Sequence, residues 1–582
     1  MNEKEKMILR YLVNHEQEKI TQRELAQKLS LSLGTANEIL HKLKSQGYLT
    51  RDLDIIREKI PFSKPKRAII LAAGYGMRMV PLNMEFPKGV IEVKGETLIE
   101  RLIKQLQAVG ITDITVIVGF MKEKYEYLID MYNVKLKVNR YYTERKNLYS
   151  LALACQEADL TDSYIIPCDI YAKNNPFSEY ELNSWYMVSQ DQVYNTDVIL
   201  NRKLHLKKVK NGQLGNRMVG IAYLNQSDGQ LLTDRLKDYV QQVRYNDEYW
   251  ESILEDKQEY VIAGRLVSSD EVIEINTYEE LRDFDNNSNQ LNNELINLIA
   301  DVLKVNRNQI EQIELLKKGM TNRSFKFICQ DKRYIMRIPG EGTGELINRQ
   351  KEAQVYQVIA QHQIGENVCY INPNNGYKLT EFIENTCSCD SRKQTDLEIC
   401  MGLLRNFHQL NLKVDFEFDL FGMVEFYEKL RQRSSNYRDY TEIKRRVLQL
   451  KDYIDVVKKE YVLCHIDANE DNFLLKPDGS AFLIDWEYAA MQDPDVDIAM
   501  FAIYSMYNRQ QLDNVIDTYY QGQCDRETRL KIYAYVAVCG LLWSNWCEYK
   551  NSLGVDFGEY SLMQYRYAKE YSKLVLDILE EK

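Results

Sequence analysis

The residues of this chain best suited to chemistry are Cys464-His465-Ile466-Asp467-Ala468-Asn469-Glu470-Asp471-Asn472, followed by Leu483-Ile484-Asp485-Trp486. The spacing is H-x-D-x-x-x-x-N, with a second Asp beyond a short apolar run. Moving the γ-phosphoryl group of ATP needs such a set. Asp467 would accept the proton of an attacking hydroxyl, while Asn472 and Asp485 would hold Mg²⁺ against the phosphates. A polar loop beside a strand uses the same residue types, but it has no need of them at these intervals.

The elements that would position this set lie upstream. Ser324–Cys329 and Tyr334–Ile338 read as two strands around the turn Gln330-Asp331-Lys332-Arg333. Before them, Lys318-Gly319-Met320-Thr321-Asn322-Arg323-Ser324 is a short polar loop able to cover nucleotide phosphates, with Asn322 among its contacts. Arg337 on the second strand keeps its charge at every relevant pH and offers a fixed fork of donors. Glu352, in the next helical run, is its expected ion-pair partner. An Arg on a strand and a Glu on a helix are usually solvated; their order around Asp467 is what singles them out.

With these residues in place, 315–580 resembles the choline kinases of the aminoglycoside-phosphotransferase superfamily. The resemblance rests on Gly319-Met320-Thr321-Asn322, Arg337-Ile338-Pro339-Gly340, His465 to Asn472, Ile484-Asp485-Trp486-Glu487 and Leu542-Trp543-Ser544-Asn545-Trp546. It implies a bilobal protein-kinase-like fold with ATP as donor. It also implies that Trp543 and Trp546 belong to an aromatic choline pocket, with Glu487 beside it. A quaternary ammonium neither donates nor accepts a hydrogen bond, so aromatic faces and carboxylates must hold it. Spacing alone favours core for both tryptophans, since i and i+3 share a helix face.

A second set lies nearer the N-terminus. Arg67-Ala68-Ile69-Ile70-Leu71 suits a buried parallel strand. It ends in Ala72-Ala73-Gly74-Tyr75-Gly76-Met77-Arg78, with Pro87-Lys88 beyond. Gly74 and Gly76 let the backbone approach phosphates, and Arg78 and Lys88 can neutralise them. There is no G-x-x-x-x-G-K-[ST], so this is not a P-loop. Gly-x-Gly-x-Arg after a strand, with Pro-Lys, resembles the nucleotidyltransferases. Within them, residues 66–285 are most similar to phosphocholine cytidylyltransferases, supported by Asn147-Leu148-Tyr149-Ser150-Leu151 and Glu248-Tyr249-Trp250. Tyr249 is the expected substrate contact. Asp169, closing the apolar strand Tyr164–Pro167, is the expected metal ligand. The family's second Asp, in a Glu-Ile-Asp context, is here Asn276 in Glu274-Ile275-Asn276. Asn ligates through its carbonyl but brings no charge. Near Asn195-Thr196-Asp197-Val198 no aromatic stands where the family's choline end calls for one, though Trp185 and Tyr186 are close in sequence.

Residues 1–60 read as a third unit. Thr21-Gln22-Arg23-Glu24 fits a capping box. Ala36, Ile39, Leu40 and Leu43 form an apolar stripe that stops at Gly47. Tyr48 to Arg57 suits a small hairpin. The order resembles a winged helix-turn-helix, in which Asn37, His41, Lys42 and Lys44 face outward toward DNA. Packing or dimerisation is the other use of such a unit.

Length and composition fit this division into multidomain α/β and α+β units. At 582 residues, a prior of about 150 per domain suggests roughly four units, or three if two are large. We expect a winged helix over 1–60, a Rossmann-like nucleotidyltransferase domain over 66–285 and the kinase-like domain over 290–582. Linkers are expected at Lys59–Arg67 and Asp285–Gln290. A net charge of −11 argues against broad nucleic-acid coating. The 11 cysteines include no C-x-x-C pair, so structural zinc is not expected. No signal peptide or bilayer-length apolar run is evident, which predicts a cytoplasmic protein without membrane contact. Taken with the resemblances, the expectation is a bifunctional enzyme. It phosphorylates choline with ATP, then transfers CMP from CTP to phosphocholine. The alternatives are another amino alcohol such as ethanolamine, an antibiotic phosphotransferase, or a transcription regulator whose enzyme-like domains sense ligand. Oligomeric state is not legible from the sequence.

Overall fold

A computed structural model of the chain describes residues 1–581 apart from 16–19, 30, 202, 210–211, 257–258, 317–321 and 341–345. It divides into two compact units, residues 1–298 and 299–582.

The first unit begins with helices Glu3–Asn14, Gln22–Lys28 and Leu33–Ser45. The capping box at Thr21 and Glu24 forms as expected. Ile8, Leu9, Leu25, Leu40 and Leu43 make the core of this winged helix, and that core continues into Leu182 beyond it. The hairpin expected over Tyr48–Arg57 reduces to one bridge between Leu49 and Ile55.

The segment expected as the first linker is tied down. Ser63 and Glu181 exchange backbone hydrogen bonds at 2.8 and 2.9 Å, and the Lys66 amide donates to Asp162 at 2.8 Å. Below this lies a ten-stranded mixed sheet. The strands Lys135–Val138, Asp113–Val118, Arg67–Ala72 and Ser163–Pro167 run parallel in that spatial order. Parallel strands covered on both faces need near-continuous apolar runs, and Ala68 to Ala72 are all buried. Antiparallel strands Gly215–Leu224 and Trp185–Val193 extend the sheet. A separate pair, Ile170–Ala172 with Val272–Glu274, stands at the carboxyl end of Ser163–Pro167. Ligands of open α/β sheets bind at such carboxyl ends. The segment expected as the second linker also folds back on this unit: Asp285 accepts from the Lys94 amide at 2.5 Å, and Ser288 donates to the Glu92 carbonyl at 2.9 Å.

The second unit opens with a five-stranded antiparallel sheet in the order Glu311–Leu315, Asn322–Cys329, Lys332–Pro339, Lys378–Glu381, Val368–Ile371. Gln330 and Asp331 make the expected turn at positive φ. Helix Arg349–Ile359 follows the third of these strands in sequence. The rest is largely helical. Helix Arg526–Ser552 is buried all round from Leu530 to Glu548, the signature of a helix surrounded by others, and it packs on Glu559–Glu580.

Candidate active sites

In the second unit, Asp467 lies in the loop after strand Val462–Cys464. That loop is anchored from below. Asp497, fully buried, accepts the amides of His465 at 2.8 Å and Ile466 at 2.7 Å. His408 approaches the same carboxylate at 2.9 Å. Ile466 has φ +69°, an uncommon conformation for a β-branched residue, and this double acceptor holds it there. His408, Cys464 and Asp497 cluster closely enough for a metal, but Asp497 already spends its oxygens on the loop.

Around Asp467 the expected groups converge. Asn472 donates its amide to the Asp467 carbonyl at 2.8 Å and carboxylate at 3.2 Å, and Asn469 donates to the other carboxylate oxygen at 3.2 Å. Enclosure pushes the Asp467 carboxyl up to about 7, with Tyr504 opposing and Glu487 reinforcing the rise. Enclosure and the like charge of Glu487 push Asp485 up to about 8, against the pull of Lys378 and Arg337. Arg337 grips Glu352 with two nitrogens, at 2.5 and 2.9 Å, and lies 3.7 Å from both Asp485 and Glu487. Burial alone would raise Glu352, but Arg337 outweighs it and holds that carboxyl at about 2. Arg349, which the sequence reading passed over, bridges Glu352 at 2.9 Å and Glu487 at 3.1 Å.

Arg337, Asp467, Asn469, Asn472, Asp485 and Glu487 line a cavity of about 720 Å³. Its far wall is aromatic: Tyr488, Tyr504, Trp543, Trp546, Phe557 and Tyr560. Trp543 and Trp546 meet edge to face with centroids 5.4 Å apart, and Phe557 sits 4.9 Å from Trp546. Each tryptophan is buried and also lines the cavity. Tyr488, Tyr504, Phe557 and Tyr560 were not singled out from sequence, because they sit on three separate segments. The phosphate-covering loop, Lys318 to Thr321, lies outside the described residues; Asn322 begins the following strand.

In the first unit, the expected set also converges. Lys88 donates to Asp169 at 2.7 Å and to the Asn276 side-chain carbonyl at 2.5 Å. Arg78 donates to that same carbonyl at 2.9 Å. Gly76 has φ +62°, and a Cβ there would come within 3.1 Å of the Lys88 side chain. Gly74 faces open space. Glu274 joins this cluster, its carboxyl raised by burial and by Asp169.

Tyr249 is 56% exposed, with Lys146 over its ring at 4.6 Å. The buried neighbour is Trp250, whose amide donates to Asn147 at 2.8 Å. Next to it stands Glu251, pushed up to about 7 by burial and accepting from the Tyr186 hydroxyl at 3.1 Å. Trp185 is core, with Arg265 over its ring at 4.5 Å. Tyr186, on strand Trp185–Val193, thus meets Glu251, on the short turn Trp250–Leu254, a pairing that sequence distance hides.

Divalent cations suit both sites. Asp169 Oδ1 and Asp485 Oδ1 are buried oxygens with no hydrogen-bond partner, a state that costs free energy unless a ligand fills it.

On the winged helix, Asn37, His41 and Lys42 are exposed and Lys44 half-buried. Lys42 pairs with Glu5 at 2.6 Å and Lys44 donates to the Arg51 carbonyl at 2.8 Å. Among the described residues no helix is long and apolar enough to cross a membrane.

Comparison with known proteins matches three family models in chain order: winged helix-turn-helix DNA-binding over residues 1–50, MobA-like NTP transferase domain over 68–193, and choline/ethanolamine kinase over 313–539. The chain is similar to the choline-phosphate cytidylyltransferase of Streptococcus pneumoniae, 29% identical over 230 residues, which span 37% of this chain and 95% of that protein. It is similar to Protein LicA of Haemophilus influenzae, 27% identical over 266 residues, 42% of this chain and 95% of that one. The crystal structure of choline kinase LicA from Streptococcus pneumoniae aligns with a TM-score of 0.43 at 27% identity, covering 48% of this chain and 97% of that chain.

Proposed function

We propose that this chain, which matches winged helix-turn-helix, MobA-like NTP transferase and choline/ethanolamine kinase models in order, is an enzyme of both transferase classes and makes CDP-choline in two steps. In the first, the choline hydroxyl attacks the γ-phosphorus of ATP and ADP leaves. Asp467 takes the hydroxyl proton. Arg337, steadied by Glu352, faces the phosphates. In the second, a phosphate oxygen of phosphocholine attacks the α-phosphorus of CTP and pyrophosphate leaves. Lys88 and Arg78 balance the charge that develops there. Mg²⁺, held by Asn472 and Asp485 in one site and by Asp169 with Asn276 in the other, would supply charge neutralisation at the phosphates.

The observation that carries this reading is the kinase cavity itself. Asp467, Asn472 and Asp485 form one wall and six aromatic side chains the other. A cation without hydrogen-bonding capacity is the alcohol such a cavity favours, because a primary ammonium would lose water bonds that aromatic walls cannot replace. In the transferase domain, Glu251 and Tyr186 are proposed to receive the same cation. We propose domain limits of 1–60, 66–285 and 290–582.

The test uses the purified chain with ATP, CTP and Mg²⁺ and a panel of choline, ethanolamine and 2-aminoethylphosphonate, with products identified by mass. Phosphocholine and CDP-choline are expected. No pyrophosphate release from CTP with added phosphocholine or any other phosphoamino alcohol would overturn the transferase reading, and no ADP formation with any amino alcohol would overturn the kinase reading.

A further inference from the structure

In the wall of the kinase cavity lies a buried polar group that neither step above uses. Lys378 stands beside Arg337 on the neighbouring strand, the two being Cα partners. Its ammonium donates to Glu366 Oε1 at 2.7 Å and to the Tyr356 hydroxyl at 2.5 Å. All three side chains are at least nine-tenths buried. A tyrosine hydroxyl has one proton and two lone pairs. Here the proton goes to Glu366 Oε1 at 2.5 Å. One lone pair takes Lys378. The other takes the backbone amide of Trp486 at 3.4 Å. The hydroxyl is saturated, and its last bond reaches the peptide that follows Asp485.

That peptide needs holding. Asp485 has φ +64°, a left-handed conformation that a side chain other than Gly adopts only when its surroundings over-determine it. On its N-terminal side Ile484 is fixed twice: its amide donates to the Asn472 carbonyl at 2.9 Å, and its carbonyl accepts from His465 Nε2 at 2.9 Å. On the C-terminal side the Trp486 indole donates to the Leu483 carbonyl at 2.8 Å, and the Tyr356 hydroxyl takes the Trp486 amide, the main-chain group next to Asp485. Glu366 keeps one more signal: its Oε2 is buried without a partner, and Glu366 and Lys378 both line the cavity.

We propose that Tyr356, set by Lys378 and Glu366, is a positioning residue that holds Asp485 in the left-handed conformation its metal-binding role requires. This rests on the kinase reading above. Lys378 fixes the rotation of the hydroxyl by occupying one lone pair and drawing Glu366 onto its proton. Without Lys378 the buried carboxylate would compete for the hydroxyl alone, and Glu366 would be left as an unbalanced charge.

The experiment uses the full chain carrying Asp169→Ala, so that only the kinase site reads metal. Mn²⁺ binding in the presence of ADP is followed by electron paramagnetic resonance. The Mg²⁺ dependence of choline phosphorylation, the KM for choline and the melting temperature are measured alongside. Tyr356→Phe and Lys378→Met should weaken Mn²⁺ binding and raise the Mg²⁺ requirement by about 10–100-fold, the range for groups that orient a metal's ligands. The KM for choline should move less than about twofold. Lys378→Arg should restore most of the metal affinity. Unchanged Mn²⁺ binding in Tyr356→Phe would overturn the proposal. So would equal losses for metal and choline with a lowered melting temperature and no rescue by Arg, which is the pattern of a purely structural group. If the chain with Asp169→Ala alone forms no ADP with any amino alcohol, the kinase reading falls and this proposal with it.

Discussion

Asp467 shows how enclosure shapes a single residue's chemistry. A carboxyl pushed up to about 7 is a better proton acceptor near neutrality than an exposed one. It must be ionised to act, so phosphorylation should fall as pH drops below about 7, and bound Mg²⁺ should move that midpoint lower. A rate–pH profile at saturating Mg²⁺ checks this; a flat profile down to pH 5 would remove Asp467 as base. Asp467→Ala should cost about 10²–10⁴-fold in ATP-driven phosphorylation and leave cytidylyl transfer from CTP intact. In the other domain, Lys88→Ala should block pyrophosphate release and spare the kinase. Asn276→Asp should preserve or raise transferase activity, since Lys88 and Arg78 both face that oxygen. Residues such as Asp467, Asp485, Lys88 and Asp169 were legible because each sits in a short, ordered motif. Arg349, Lys378 and Glu251 were not. Glu487 lies 138 residues from Arg349 and Tyr186 65 from Glu251, and nothing local marks a half-buried Glu as facing a tyrosine rather than water.

Strands and helices were read best where one period governed them. The buried run Arg67–Ala72 and the paired strands around Gln330-Asp331 formed as expected. Segments rich in Pro, Asn and Lys were read as linkers, yet Ser63 anchors the first through backbone bonds and the Ser288 hydroxyl anchors the second on the Glu92 carbonyl. Polar composition reports solvent access of side chains and is silent on where main-chain groups pair. Helix Arg526–Ser552 is the element with most at stake. It carries Trp543 and Trp546 into the cavity while packing on every side. Trp543→Ala and Trp546→Ala should each weaken choline capture by roughly 2–30-fold, from a cation–π contribution of about 0.5–2 kcal/mol. The choline-over-ethanolamine ratio should fall with it. A lower melting temperature with an unchanged ratio would mean these rings are core alone.

At the scale of the whole chain, the winged helix is joined to the transferase domain by more than its peptide. Glu181, fully buried, receives Arg10 from the first helix at 3.2 Å and the Tyr164 hydroxyl at 2.9 Å, with Arg265 at 3.6 Å. Arg10→Ala should destabilise this unit by about 1.5–3 kcal/mol, the worth of a hydrogen bond to a charged group; Arg265 keeps the loss from being larger. Denaturant melts of the full chain read it, and a shift within error would show the contact to be incidental. If residues 1–60 bind DNA, the full chain should bind its own promoter region with an affinity that falls steeply with salt; salt-insensitive or absent binding would favour a packing role.

The shared carboxylate has a thermodynamic consequence. Tyr164 belongs to the strand that leads, through Pro167 and Cys168, to Asp169. Through Glu181, the first helix and the strand that leads to Asp169 share one buried carboxylate. Free-energy coupling is symmetric. If residues 1–60 take a ligand and the proposed transferase site takes CTP, whatever factor the one imposes on the other's affinity is returned in equal measure.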